Sequence, residues 1–355
     1  MKHFRLFIII VAGFALFACQ KTKKALTIMP IGDSITQGKA NGDSITELSY
    51  RYWLWEKLDS AGYKVDFLGS NNIWFREDRK HPLKPPVSRY TSHVFDRDHE
   101  SFYGINTHNF LHGGFTHDSV TYPSFAERIK PYSPDIALIH LGTNDVEKDS
   151  AESVNNLEEI INVLYNRNPA VAVILAKLNT PWKSFINMSV DSIVAHERSL
   201  HPGLKIRTVD MASGWVNRPD LPETMTIDWA HPNTRGQKIM ATQWFRAIES
   251  LDDTIPPAFA PEISMRKTSD TTLLVSWTSA TDNKWVEGYN VYLNSQKVNW
   301  RYSEGESHDI QSIALVPGTH YVIEGKLPAE GSEIAISACD YGNNCTMSKS
   351  VEVEY

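Results

Sequence analysis

One serine and one histidine in this sequence sit in surroundings that suit them for nucleophilic chemistry. Ser34 lies in Gly32-Asp33-Ser34-Ile35-Thr36-Gln37-Gly38, directly after the apolar run Leu26–Ile31. A serine hydroxyl becomes a strong nucleophile only when a base takes its proton and a third group orients that base. Asp228-Trp229-Ala230-His231 offers both from one short segment. The carboxylate three residues before the imidazole can hold its tautomer and stabilise the imidazolium formed during attack. Such chemistry needs no metal and no organic cofactor.

The charge that develops on an attacked carbonyl oxygen calls for donors aimed at it. Three are nominated: the N–H of Ser34, the side-chain amide of Asn144 in Gly142-Thr143-Asn144-Asp145, and the N–H of Gly114 in His112-Gly113-Gly114-Phe115-Thr116. Gly104, shortly after Asp98-His99-Glu100, is a second candidate for the glycine donor. Asp33 and Asp145 are supporting neighbours. A second Gly-Asp-Ser-Ile-Thr runs from Gly42 to Thr46, but Gly38-Lys39-Ala40-Asn41 before it reads as a turn, with no strand to aim Ser44. The competing reading of Ser34 is a helix N-cap. Histidines 81, 93, 99, 108, 112 and 117 lie near Asp96, Asp98 and Glu100, yet no zinc-ligand spacing appears, and the sixth position of the acidic run is Ser101 rather than the glycine of a calcium loop. A polar loop lining a sugar-accommodating cleft is preferred. Trp74, Phe75, Phe95 and Tyr103 are either sugar-stacking faces or anchors of that loop, and Trp182 and Trp229 either pocket walls or packing.

Taken in order, G-D-S, a glycine, G-T-N-D and D-x-x-H resemble the blocks of SGNH hydrolases, the GDSL esterases, over residues 26–250. Met29-Pro30-Ile31, Ser49-Tyr50-Arg51 and Gly114-Phe115-Thr116 look closest to acetylxylan-esterase-like members. The resemblance implies Ser34, Gly114, Asn144 and His231 as signature residues, with Asp228 completing the triad; Gly114 is preferred over Gly104 for its spacing before Pro134-Asp135-Ile136. It further implies hydrolysis of short acyl esters, chiefly acetyl, on a polysaccharide or oligosaccharide. A lipid-directed esterase, lysophospholipase or thioesterase on the same scaffold, and a non-catalytic glycan-binding protein, remain the alternatives.

These residues need elements to position them. From Leu26 to Leu251 short aliphatic runs alternate with amphipathic ones, which predicts an α/β domain, a three-layer flavodoxin-like sandwich on a parallel five-stranded sheet. The strands are Leu26–Ile31, Val65–Leu68, Ile136–Leu141, Ala170–Ala176 and Ile206–Val209. A serine at the carboxyl end of the first strand lies on the face where open α/β sheets bind ligands. Residues 69–113 show no sustained period and read as an elaborated loop near the site. Residues 252–260, with Pro256-Pro257, read as a linker. Residues 261–355 alternate apolar and polar positions between turns, an all-β immunoglobulin-like sandwich. Val275-Ser276-Trp277 and Gly288-Tyr289-Asn290-Val291-Tyr292 resemble a fibronectin type III module, read as a spacer or a platform for glycan or protein contact.

The chain has 355 residues, 41% hydrophobic and 22% charged, with formal net charge -7. That is ample material for two cores, and it lacks the basic footprint of a nucleic-acid partner. Lys2 and Arg5 precede an apolar run, Leu6–Ala18, that as a helix would be about 20 Å long. Such a run falls short of the roughly 30 Å bilayer core, so residues 1–19 read as an export signal. Leu16-Phe17-Ala18-Cys19 resembles a bacterial lipobox. This implies a lipid anchor at Cys19, a tether over 20–25 and, with Gln20 next, an outer-membrane lipoprotein. Cys339 and Cys345 flank a strong turn sequence and are expected to pair in an oxidising compartment.

Overall fold

The computed structural model describes residues 25–38, 49–74, 84–117, 119–180, 183–302 and 311–354. Cys19, Ser44, Phe75, His81 and Trp182 lie outside them. In the first domain the order is β1 (Leu26–Gly32), α1 (Ser34–Gln37), α2 (Ser49–Ser60), β2 (Val65–Phe67), β3 (Glu100–Ser101), α3 (Thr107–His112), β4 (Phe115–His117), β5 (Val120–Tyr122), α4 (Phe125–Arg128), β6 (Ile136–His140), α5 (Ser150–Arg167), β7 (Ala172–Lys177), α6 (Ser184–Leu200), β8 (Lys205–Asp210) and α7 (Thr234–Glu249).

The strands form a parallel sheet in the order β2-β1-β6-β7-β8, the flavodoxin-like arrangement, with β3 added beside the carboxyl end of β1. Successive residues of a strand face opposite sides, which is why both faces must be covered and why these strands read as unbroken apolar runs. Ile28, Leu138 and Ile174 point into one layer with Leu54, Leu58, Met240 and Trp244 of α2 and α7. Met29, Ile139 and Val173 point into the other, against Leu157, Ile160, Val190 and Ile193 of α5 and α6. Burying each such side chain contributes roughly 1.5–3 kcal/mol.

The aperiodic stretch after β2 is ordered by side-chain anchors rather than by regular elements. Trp74 and Phe95 are buried in the α2/α7 layer, and the Arg97 guanidinium lies 4.1 Å from the Trp74 ring. Both aromatics are therefore packing residues. Glu100 and Arg128, each side chain 1% exposed, form a buried ion pair. Arg128 also donates to Phe110 O and lies within 5.6 Å of the rings of Phe102, Phe110, Phe115 and Phe125.

The second domain comprises β9 (Ile263–Ser269), β10 (Thr272–Trp277), β11 (Val286–Leu293), β12 (Gln296–Lys297), β13 (Trp300–Tyr302), β14 (Gln311–Ile313), β15 (His320–Glu324), β16 (Glu333–Asp340), β17 (Cys345–Met347) and β18 (Val351–Glu352). A β15-β10-β9 sheet faces a β12-β11-β16-β17 sheet, all antiparallel, with β18 on β16. Trp277 and Tyr289 meet edge to face at 5.4 Å in the core between them. Cys339 and Cys345 are disulfide-bonded across β16 and β17. Strand β9 carries no clear alternation in the sequence, because Arg266 and Lys267 interrupt its apolar pattern.

The two domains are joined by more than their connection. Tyr341 is buried in the α2/α7 core of the first domain. The Asn343 side chain bonds both backbone groups of Thr208 on the edge strand β8, at 2.6 and 3.2 Å, pairing an edge that would otherwise be open. Asp210 at the end of β8 accepts from Leu315 N at 2.7 Å, and its own N–H donates to Glu287 Oε1 at 2.8 Å. The expectation of a spacer is corrected here, because a spacer does not contribute side chains to its neighbour's core.

Candidate active site

The sheet's carboxyl edge gathers the residues that the sequence holds 197 positions apart. Ser34 opens α1 immediately after β1, and Asp33 caps that turn by accepting from Ile35 N at 2.9 Å. Position 32 must be glycine: a Cβ there would lie 2.2 Å from Thr36 Oγ1 and 2.5 Å from His140 O on the adjacent strand. Arg51, 1% exposed, donates to the carbonyls of Thr36 at 2.9 Å, Gln37 at 3.1 Å and Arg97 at 2.9 Å. Its buried guanidinium thus ties α1 to the 84–117 segment, and burial lowers its pKa to about 10. The sequence signal for this role of Arg51 is Ser49-x-Arg51 shortly after the strand that carries Ser34.

His231 Nε2 lies 2.8 Å from Ser34 Oγ. On its other side His231 Nδ1 lies 2.9 and 3.0 Å from the two Asp228 carboxylate oxygens, and His231 N–H donates to Asp228 Oδ1 at 2.9 Å. Burial alone would raise the Asp228 pKa; the His231 hydrogen bonds and charge outweigh it and bring the value down to about 2. Asp228 is therefore ionised throughout the neutral range, the state required to stabilise an imidazolium. Asp33 responds oppositely, since complete burial lifts it to about 6 against the lowering effect of Ile35 N–H, Thr143 and His231. Two buried histidines do not compete as bases: burial pulls His140 down to about 4 and lowers His99 strongly.

The donors arrange themselves differently from the sequence expectation in one respect. Asn144 gives one amide hydrogen to Ile105 O at 2.9 Å, leaving the other available. Gly114 is corrected: its N–H donates to Tyr122 O at 2.9 Å in the β4–β5 hairpin and is already committed. Gly104, the second candidate, lies in a loop held beside the Ser34 turn. Tyr103 N–H donates to Gln37 Oε1 at 2.7 Å and Ile105 O receives Asn144, so the residues on both sides of Gly104 are pinned to the Ser34 turn and to Asn144. With φ of +73°, Gly104 adopts a backbone that favours glycine, and neither its N–H nor that of Ser34 donates to another described residue. Asp145 supports the arrangement from behind, accepting from Thr107 N at 3.0 Å and Ser153 Oγ at 2.7 Å and thereby joining α3 to α5.

Ser34, Ile35, Gly38, Ile227, His231, Pro232 and Gln237 line a recess of about 20 Å³. Trp229, between Asp228 and His231 in sequence, is 38% exposed and at φ +69°, with the Arg218 guanidinium 5.9 Å from its ring. A bulky residue at positive φ is strained, so tertiary structure holds this indole outward. Three histidines of the 84–117 segment are otherwise engaged: His93 with Asp59, His99 with Ile73 O and Ser101, His108 with Glu152.

A model of the GDSL-like lipase/acylhydrolase family matches residues 31–239. The multidomain esterase of Ruminococcus flavefaciens is 26% identical over 236 residues, 63% of this chain, and this chain spans 28% of that protein's length. Among solved structures, a carbohydrate esterase family 3 protein from Talaromyces cellulolyticus is 25% identical with a TM-score of 0.48, covering 65% of this chain and 100% of that one. A family 3 carbohydrate esterase of Clostridium thermocellum is 23% identical with a TM-score of 0.45, covering 64% and 98%.

Proposed function

The chain belongs to the GDSL-like lipase/acylhydrolase family, and from that premise we propose that it is a serine esterase removing short acyl groups, chiefly acetyl, from carbohydrate. The observation that carries this reading is the continuous relay from Asp228 through His231 to Ser34 Oγ, with no contact longer than 3.0 Å. Ser34 Oγ attacks the ester carbonyl while His231 Nε2 accepts the hydroxyl proton, and Asp228 stabilises the imidazolium. The tetrahedral oxyanion is met by the N–H groups of Ser34 and Gly104 and the second amide hydrogen of Asn144. Collapse expels the sugar alkoxide, which takes the proton from His231. Water activated by His231 then hydrolyses the acyl-enzyme, releasing the acid and restoring Ser34.

Short acyl groups suit a recess that has room for little more than one or two water-sized groups beside Ser34. A sugar leaving group suits Trp229, whose exposed indole, two residues before His231, offers a flat apolar face. The relatives named as esterases and carbohydrate esterases support the same substrate class. The test compares acetylated xylan, p-nitrophenyl acetate and long-chain acyl esters, with fluorophosphonate labelling of Ser34 alongside. Turnover of both acetyl substrates is expected, with Trp229→Ala weakening only the polysaccharide reaction. A strong long-chain preference, or no Ser34 adduct in folded protein, overturns the proposal. Export and lipidation at Cys19 form part of this reading: Cys19→Ala is expected to abolish palmitate labelling and release the chain from the membrane fraction, and unchanged labelling refutes it.

A further inference from the structure

Outside the esterase site, α5 and α6 bring three potential ligands together. Glu158 on α5 and His196 and Glu197 on α6 place one ligand atom each within 4.8 Å of one another. His196 Nδ1 lies 2.9 Å from Glu158 Oε1. Glu197 is 0% exposed, and among the described residues neither of its carboxylate oxygens has a hydrogen-bond partner. The His201 ring lies beside it, with Nε2 3.8 Å from Glu197 Oε2 and itself 2.8 Å from Asn162 Oδ1.

A carboxylate removed from water with no donor is costly in its ionised form, and burial followed by the Glu158 charge raises the Glu197 pKa. Protonation removes the charge without resolving the geometry. A neutral carboxyl still has an O–H lacking an acceptor and a carbonyl oxygen lacking a donor. A cation at this point would satisfy both Glu197 oxygens, displace the hydrogen shared by His196 and Glu158, and cancel the repulsion between the two glutamates.

We infer that Glu158, His196 and Glu197 form a binding site for a divalent transition metal of the zinc class, bridging α5 and α6. One imidazole nitrogen with two carboxylates is a donor set suited to zinc, whereas calcium and magnesium take shells of six or more oxygens. His201 follows Glu197 by four residues and borders the cluster without belonging to it. Its ring stacks on Tyr165 at 4.0 Å, which fixes its plane beside the site. The partly exposed His196 and Glu158 leave a path for the ion to enter. Because the ligands come from two helices, the ion would clasp this face of the domain and take no part in the Ser34 reaction.

The test uses the full chain stripped with EDTA and then offered Zn²⁺ alone, with Ca²⁺ and Mg²⁺ in parallel. Zinc is expected to remain after dialysis at one ion per chain and to raise the unfolding temperature. Glu197→Gln should weaken that binding by more than the roughly 10–100-fold that loss of an outer-layer partner costs. His196→Ala alters a surface side chain and tests the site even if the buried substitution disturbs folding. Both variants should retain p-nitrophenyl acetate turnover. Zinc retention equal to wild type in His196→Ala, equal stabilisation by Ca²⁺, or absence of retained zinc in the wild type would each overturn the assignment.

Discussion

The acyl-transfer chemistry we propose rests on proton positions at a few atoms. Asp228 engages the His231 ring through Nδ1 and leaves Nε2 toward Ser34. Asp228→Asn would favour the wrong tautomer, and the expected outcome is a fall in kcat of about 10⁴-fold with KM little changed. Stopped or steady-state kinetics on p-nitrophenyl acetate checks this; a loss under tenfold would remove Asp228 from the relay. These partners were legible because Asp and His stand three apart and Ser34 follows a buried strand. The glycine donor was not. Gly104 and Gly114 both have positive φ, and what separates them is the hairpin bond that Gly114 makes to Tyr122. That bond depends on residues eight positions away in a segment of weak periodicity.

At the scale of elements, the site depends on how firmly the 84–117 segment is held. Glu100 extends the sheet through β3 and pairs with Arg128, while its other oxygen accepts from Ser70 N at 2.8 Å. Arg128→Met would leave the Glu100 carboxylate buried without its cation, at an expected cost of roughly 3–5 kcal/mol. Urea unfolding should show a lower midpoint with an unchanged slope. The double variant Glu100→Gln, Arg128→Met should lose less than the Arg128→Met single, because the uncompensated charge is gone. Elements with a strong period, such as α5, α7 and the central strands, were legible in the sequence. The two-residue β3 was not, since its identity comes from pairing with β1 rather than from any pattern of its own.

Across the whole molecule, the junction of the two domains is itself titratable. Glu287 is driven up to about 8, first by burial and then by Asp210, against the lowering effect of Lys177 and the Asp210 N–H. An acid whose folded pKa exceeds its unfolded value of 4.5 holds more protons in the folded state between those two values. Its stabilising contribution is present below about pH 4.5 and is lost as pH rises through about 8. The junction should therefore weaken across that window, and Glu287→Gln should flatten the dependence measured by thermal unfolding at successive pH values. An identical slope in the variant would assign the effect to Asp210 or Lys177.

By itself the sequence determined the two-domain plan, the parallel sheet and the choice of Ser34, Asp228 and His231 as candidates, because periodicity, turn residues and short spacing are local properties of a chain. Only the tertiary structure decided which glycine N–H stays available, which aromatics pack and which face outward, and that the second domain shares a core with the first. Those outcomes depend on which partner each group finds across long sequence separations. A hydrogen bond made elsewhere can remove a donor from the site without changing a single residue of its motif.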